Sequence, residues 1–204
     1  MNKLTFIFSL FLLTVGLFSP TFSFAQTDKA QSEASYEVVL QILTASNAQG
    51  EKANLPTGLS NAVKRLKTDY AFSNYHLTAT YLQRIANTGS LEFKTLVYET
   101  VPNLQTNAPI FMEWTIGQLM SLPNEKGQSS MQVRGFRFGQ RIPITVGYAK
   151  ADDKNSTPLI NYEQIGLSVQ KLSLPENIPT VIGTLSTSKT DELMFLILTV
   201  KSTE

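Results

Sequence analysis

The chain has 204 residues, 17 of them basic and 16 acidic, with a single histidine and no cysteine. Those counts exclude a disulfide framework, a thiolate zinc site and a multi-histidine metal site. Near-neutrality leaves no global field to draw in nucleic acid or an anionic membrane, and the length suits one domain with a sizeable core.

The first 25 residues predict export. Lys3 is followed by an apolar run from Leu4 to Phe18, Pro20 ends it, and Ser23 and Ala25 are the small residues a signal peptidase reads. The run is about 15 residues, short of the roughly 20 that span a bilayer. Cleavage after Ala25 removes Lys3, which balances the charges, together with half of the 12 phenylalanines. No cysteine stands at the cleavage site to carry a lipoprotein anchor. The expected location is periplasmic or extracellular, with outer-membrane association as the further option. Residues 26–34 are polar and aperiodic and read as a flexible tether, leaving 35–204 as a single exported β-rich domain.

Tyr36, Val38, Leu40 and Ile42 alternate and predict a strand, with Asn47 to Gly50 as the loop after it. Leu59, Ala62, Val63, Leu66 and Tyr70 recur at helical spacing behind Pro56 and Thr57, so a helix is expected over about 58–68. Lys64, Arg65 and Lys67 form its solvated face.

Strand signals continue to the end. Tyr75 to Tyr81 alternates, and Asn87-Thr-Gly-Ser90 turns into Leu91 to Val101, the strongest hairpin signal present. Ile110 to Leu122 reads as one strand after a loop from Pro102 to Pro109. Asn124 to Gln128 turns into Met131 to Phe138, then Ile142 to Tyr148. Asp152 to Pro158 turns into Leu159 to Leu174, with a bend expected near Gly166. Thr180 to Ser186 and Leu193 to Val200 close the fold. The last strand is apolar on both faces and is therefore expected to be central and covered on both sides. Short connections make the sheets antiparallel. The expected fold class is α+β, mostly antiparallel β. One N-terminal helix accompanies an eight- or nine-stranded meander that forms a sandwich or partly closed barrel.

The chemistry-bearing residues do not assemble into a motif. His76 lies in a strand without ligands at metal spacing, and no Gly-x-Ser-x-Gly supports a nucleophile elbow. Glu99, Glu113 and Glu163 are strand glutamates from which a glycosidase pair could be built, but solvent-facing carboxylates are the simpler account. Asp152-Asp153-Lys154-Asn155 lacks the glycine and bidentate glutamate of a calcium loop. Asn155-Ser-Thr157 is a glycosylation acceptor only in a eukaryotic secretory host. Arg134-Gly-Phe-Arg-Phe138 partly matches an RNA-binding strand signature, yet Arg137, Gly139 and Arg141 stand at the wrong places for it. A bulged strand with arginines facing water or a protein partner fits better. No catalytic, cofactor-binding or metal site is expected, and no nucleic acid.

Read in order, four segments resemble the secretin β-domain, the outer-membrane gate module of bacterial secretion and pilus systems. Phe138-Gly-Gln-Arg-Ile-Pro-Ile144 is similar to the strand that secretins place before a loop, and Asn161 to Val169 to their Tyr-x-x-Val-Gly-x-x-Leu strand. Pro179 to Leu185 is similar to their Val-Ile-Gly-Gly-Leu segment and Glu192 to Thr199 to their closing strand. Leu55 to Leu77 resembles the small helix-then-strand module at the N-terminus of secretins. The order matches over half the mature chain. Only Ser186 to Asp191 separates the last two segments, where secretins hold a long insert, and Thr184 replaces the second glycine. The resemblance implies a non-enzymatic exported envelope protein that binds another envelope protein or itself, in association with a secretion or pilus system. A small-molecule or lipid carrier on a β-barrel or sandwich is the alternative, a carboxylate-dependent hydrolase the next, and a transmembrane β-barrel the last.

Overall fold

A computed structural model describes residues 34–48, 55–97, 108–123, 129–152, 155–187 and 191–203. The stretches read as signal peptide and tether, up to residue 33, lie outside the described residues, as do 49–54, 98–107 with Glu99 among them, 124–128, 153–154, 188–190 and 204.

In chain order the elements are β1 (Ser35–Ser46), a 3-10 turn (Thr57–Leu59), α1 (Ser60–Asp69), β2 (Asn74–Ala86), β3 (Leu91–Val97) and β4 (Ile110–Ile116). β5 (Gln118–Pro123), β6 (Ser129–Asp152), β7 (Asn155–Pro175), β8 (Thr180–Ser186) and β9 (Glu192–Thr203) complete it. One helix and nine strands in two antiparallel sheets match the expected class. The first sheet runs β2-β1-β9-β8. The second runs β3-β4-β6, with β5 continuing the line of β4 and β7 on the far side of β6.

The described residues are built in three layers. Between the two sheets lies a core of Val38, Leu40, Ile42, Met112, Trp114, Phe136, Leu196, Leu198 and Val200. On the outer face of the first sheet, α1 lays Ala62, Val63 and Leu66 against Leu43, Ala45, Tyr75, Phe195 and Ile197. The 3-10 turn that leads into that helix begins after Pro56, whose φ of −55° suits a helical start. α1 stops where Tyr70 turns extended and donates its N–H to the Leu66 carbonyl. β9 sits inside both cores, with Met194, Leu196 and Leu198 turned to one and Phe195 and Ile197 to the other. The double-faced apolar pattern thus has its central, twice-covered strand.

Three readings change. The turn after β2 is present, but β2 and β3 do not pair: they lie in different sheets. The Thr88 N–H donates to the Leu119 carbonyl at 2.7 Å, and Leu119 returns its N–H to the Gly89 carbonyl at 3.1 Å. The turn is therefore a corner pinned to β5 rather than the tip of a hairpin. Second, Ile110 to Leu122 breaks at Gly117 without losing register, since β4 and β5 pair with β6 in one continuous series. Gly117 meets Gly135, whose φ of +63° departs from strand geometry, but pairing keeps register on both sides of it, so the bulge expected in the Arg134–Phe138 run is not there; the register shifts of β6 fall at Thr145–Gly147 and Lys150–Asp152. Third, the strands 131–138 and 142–148 are one, as β6 runs unbroken from Ser129 to Asp152. β7 likewise continues through Gly166.

The alternation in β2 also serves two cores instead of one. A register shift skips Thr78, so Tyr75 and Leu77 face the helix while Ala79 and Tyr81 face the second sheet. The Thr78 hydroxyl meets that of Thr44 at 2.5 Å, which satisfies both polar groups where the face changes.

Candidate protein-docking face and hairpin arm

Past Arg141, β6 loses β4 as a neighbour. Ile142–Asp152 pairs only with Asn155–Glu163 of β7 among the described residues. Pro143 stands just beyond that point, where one side of β6 becomes an edge and a missing N–H is tolerated. The result is a two-stranded arm roughly 35 Å long at strand rise. Along it Val146 and Tyr148 are each 60% exposed and Leu159 48%. An isolated hairpin is marginal in water, and this one presents apolar side chains on strands that have no further strand neighbour among the described residues.

At the base of the arm, the outward face of the second sheet is ordered by register. One row reads Leu96–Phe111–Arg141–Gln164, the next Lys94–Glu113–Gly139–Gly166, and the third Glu92–Thr115–Arg137–Ser168. No side chain rises from the two central glycines. The face carries a trough of about 630 Å³ over them and an adjoining apolar hollow of about 410 Å³ lined by Leu96, Phe111 and Arg141. Gly166 is required by packing: a Cβ there would overlap the Phe138 carbonyl oxygen and come within 2.9 Å of the Gly139 Cα.

Charges on this face divide into a spent set and a free set. Lys94 holds Glu92 at 2.7 Å and Glu113 at 3.9 Å. The hydrogen bond from Lys94 keeps the Glu92 carboxyl below its ordinary range, and Glu92 raises Lys94 in return. Both groups are fully exposed, so salt weakens the pairing. Among the described residues, no carboxylate pairs with Arg137 or Arg141. Arg141 is instead stacked, its guanidinium carbon 5.7 Å from the Phe111 ring centre and 5.5 Å from that of Tyr162. Those two rings meet edge to face at 5.4 Å, and cation–π contacts of this kind hold the fork in place.

Neither a protein-family model nor a curated protein matches the sequence. Among solved structures, the chain has a distant likeness to secretin domains. The InvG secretin-domain β-barrel of the Salmonella SPI-1 injectisome matches with 12% identity and a TM-score of 0.33, over 84% of this chain and 64% of that one. A near-atomic cryo-EM structure of InvG gives 12% and 0.36, over 84% and 65%. A chain of the Klebsiella pneumoniae type II secretion outer-membrane complex of PulD, PulS and PulC gives 11% and 0.29, over 84% and 39%. This chain thus spans less than two thirds of each of those chains.

The glutamates singled out as a hydrolase pair do not converge: Glu113 is on β4, Glu163 is on β7 opposite Ile142, and β6 runs between them. His76 pairs with Thr44 in the other sheet. Among the described residues no three His, Asp or Glu side chains gather as a metal site, and no helix is long and apolar enough to cross a membrane. The arginine face escaped sequence reasoning because its parts come from β4, β6 and β7. The one local signal was Arg134 to Arg141, a strand whose arginines were expected to face water or a protein.

Proposed function

We propose that this is a non-enzymatic exported envelope protein that docks another envelope protein, or a second copy of itself, through the β6–β7 arm and the face at its base. The observation that carries the reading is the arm: two strands that, among the described residues, pair only with each other, displaying Val146, Tyr148 and Leu159 to water. Soluble monomers rarely keep such a surface without a use for it. The order of secretin-like segments, two of which form the arm and its root, supports association with a secretion or pilus system. The signal-peptide pattern supports export with Gln26 as the first mature residue. A carrier would hold its ligand between the sheets, and that space is filled by Trp114, Phe136 and Leu40, all fully buried.

A photo-crosslinking side chain placed at Tyr148 or Val146 in intact cells tests the reading, with exposed Thr184 on β8 as the control position. Discrete crosslinked species from the arm positions and none from Thr184 are expected. Serine at both Val146 and Tyr148 should abolish the species formed from a crosslinker at Leu159 while leaving the unfolding midpoint unchanged. An arm that gives no crosslinks, or no more than Thr184, overturns it.

A further inference from the structure

We propose that the face at the base of the arm takes an extended, acidic polypeptide segment of the partner, an assignment that rests on this being a protein-docking face. The segment runs along β6, with two carboxylates four residues apart on Arg137 and Arg141 and a bulky side chain between them over Gly139 and Gly166.

Spacing supports the register. Arg137, Gly139 and Arg141 share one face of β6, so the two arginines are separated by four strand residues, roughly 13 Å. Carboxylates at i and i+4 of an extended segment span the same length, and residue i+2 then lies over the glycines, along the floor of the trough. The charge on the face is complementary to such a segment. Lys94 offsets one of the two charges of Glu92 and Glu113, and Arg137 and Arg141, which have no acid partners among the described residues, tip the face to a net positive charge. Arg141 is also preorganised: clamped by Phe111 and Tyr162, it loses little freedom on forming a two-pronged bond to a carboxylate. The Gln164 side chain leans over Gly139, its amide nitrogen 3.4 Å from where a Cβ would be, and adds a neutral donor to the floor.

The test is an amide-shift titration of the isotopically labelled exported chain with the peptide acetyl-Ser-Glu-Thr-Phe-Thr-Glu-Ser-amide and with its twin in which both Glu are Gln. Shifts should concentrate on Arg137, Gly139, Arg141 and Gln164 to Ser168. The Gln twin should bind at least tenfold more weakly, and added salt should weaken the Glu peptide. R137Q/R141Q should lose the difference between the two peptides; both side chains are exposed, so its melt should match the parent. Equal affinity for the two peptides, or shifts located away from this face, overturns the proposal. So does tighter binding of a ten-residue oligothymidine, which would reassign the arginines to nucleic acid. Crosslinking at Tyr148 is read separately, so a face without acidic preference leaves the arm's role standing, and a silent arm leaves the peptide result interpretable.

Discussion

Replacing Phe195 with alanine probes the three-layer packing at its tightest point. Phe195 is fully buried on the helix side of β9, edge-on to Tyr70 at 5.0 Å and tilted against Tyr75 at 6.1 Å. Phe-to-Ala changes in cores cost about 3–5 kcal/mol, more where the surroundings cannot collapse. Tyr70 sits at the end of α1 and is partly exposed, so it can swing inward, whereas Tyr75 is held in β2 by its pairing with Ala45. A loss of about 4 kcal/mol is therefore expected, a large share of the roughly 5–15 kcal/mol that holds a typical domain together. With a urea slope of about 2 kcal/mol/M, the midpoint should fall by about 2 M at unchanged slope. Phe195→Leu, which keeps most of the volume, should lose less than about 1.5 kcal/mol. Equilibrium urea unfolding followed by tryptophan fluorescence reads both, since Trp114 lies in the other core and reports global unfolding. A Phe195→Ala midpoint within about 0.3 M of the parent, against the shift expected from the slope, would show that α1 does not seal this face. The double coverage of β9 would then be refuted.

Three further substitutions separate backbone contact from side-chain contact and test a buried hydroxyl. Gly166→Ala must push apart the β6 and β7 backbones and should cost at least the roughly 1–3 kcal/mol of an overpacked site; Gly183→Ala meets only the Leu167 side chain, which can turn aside, and should cost less in the same urea assay. Thr199 is buried with its hydroxyl unpartnered, so Thr199→Val should raise stability by about 1 kcal/mol; a loss in thermal melting would mean the hydroxyl has a partner in solution.

What could be read from the sequence came from strong periodicity. Leu193 to Val200 announced its place because water would otherwise meet Leu or Phe on one face, and the 3.6-residue spacing from Leu59 placed α1 within two residues. The β2–β3 hairpin misled because its signal was local and the outcome was not. Asn87 to Ser90 makes the turn, but hydrogen bonds from Thr88 and Leu119 direct the chain to the other sheet. β6 reads as two strands because Arg137 and Arg141 point to water and Gly139 adds no side chain, which interrupts the apolar record on a strand that hydrogen bonding keeps continuous. The docking face was illegible for a related reason. Gly139 and Gly166 are neighbours only across a register that no spacing rule contains, and Arg141 takes its orientation from rings on two other strands.

The pairing of β1 with β9 has a consequence in time. The Thr203 hydroxyl donates to the Ser35 carbonyl at 2.7 Å across a separation of 168 positions, and every residue of β1 has its ladder partner in β9. At ribosomal speeds of about 5–20 residues per second, β1 waits on the order of ten seconds for that partner to be made. Throughout that interval Val38, Leu40, Leu43 and Ala45 lack both the neighbouring strand and the two cores it completes, and closing so long a loop is slow even when the whole chain is present. Nascent molecules are therefore open to association throughout that interval, and loss of β9 by late truncation would yield an aggregating chain rather than a smaller folded one.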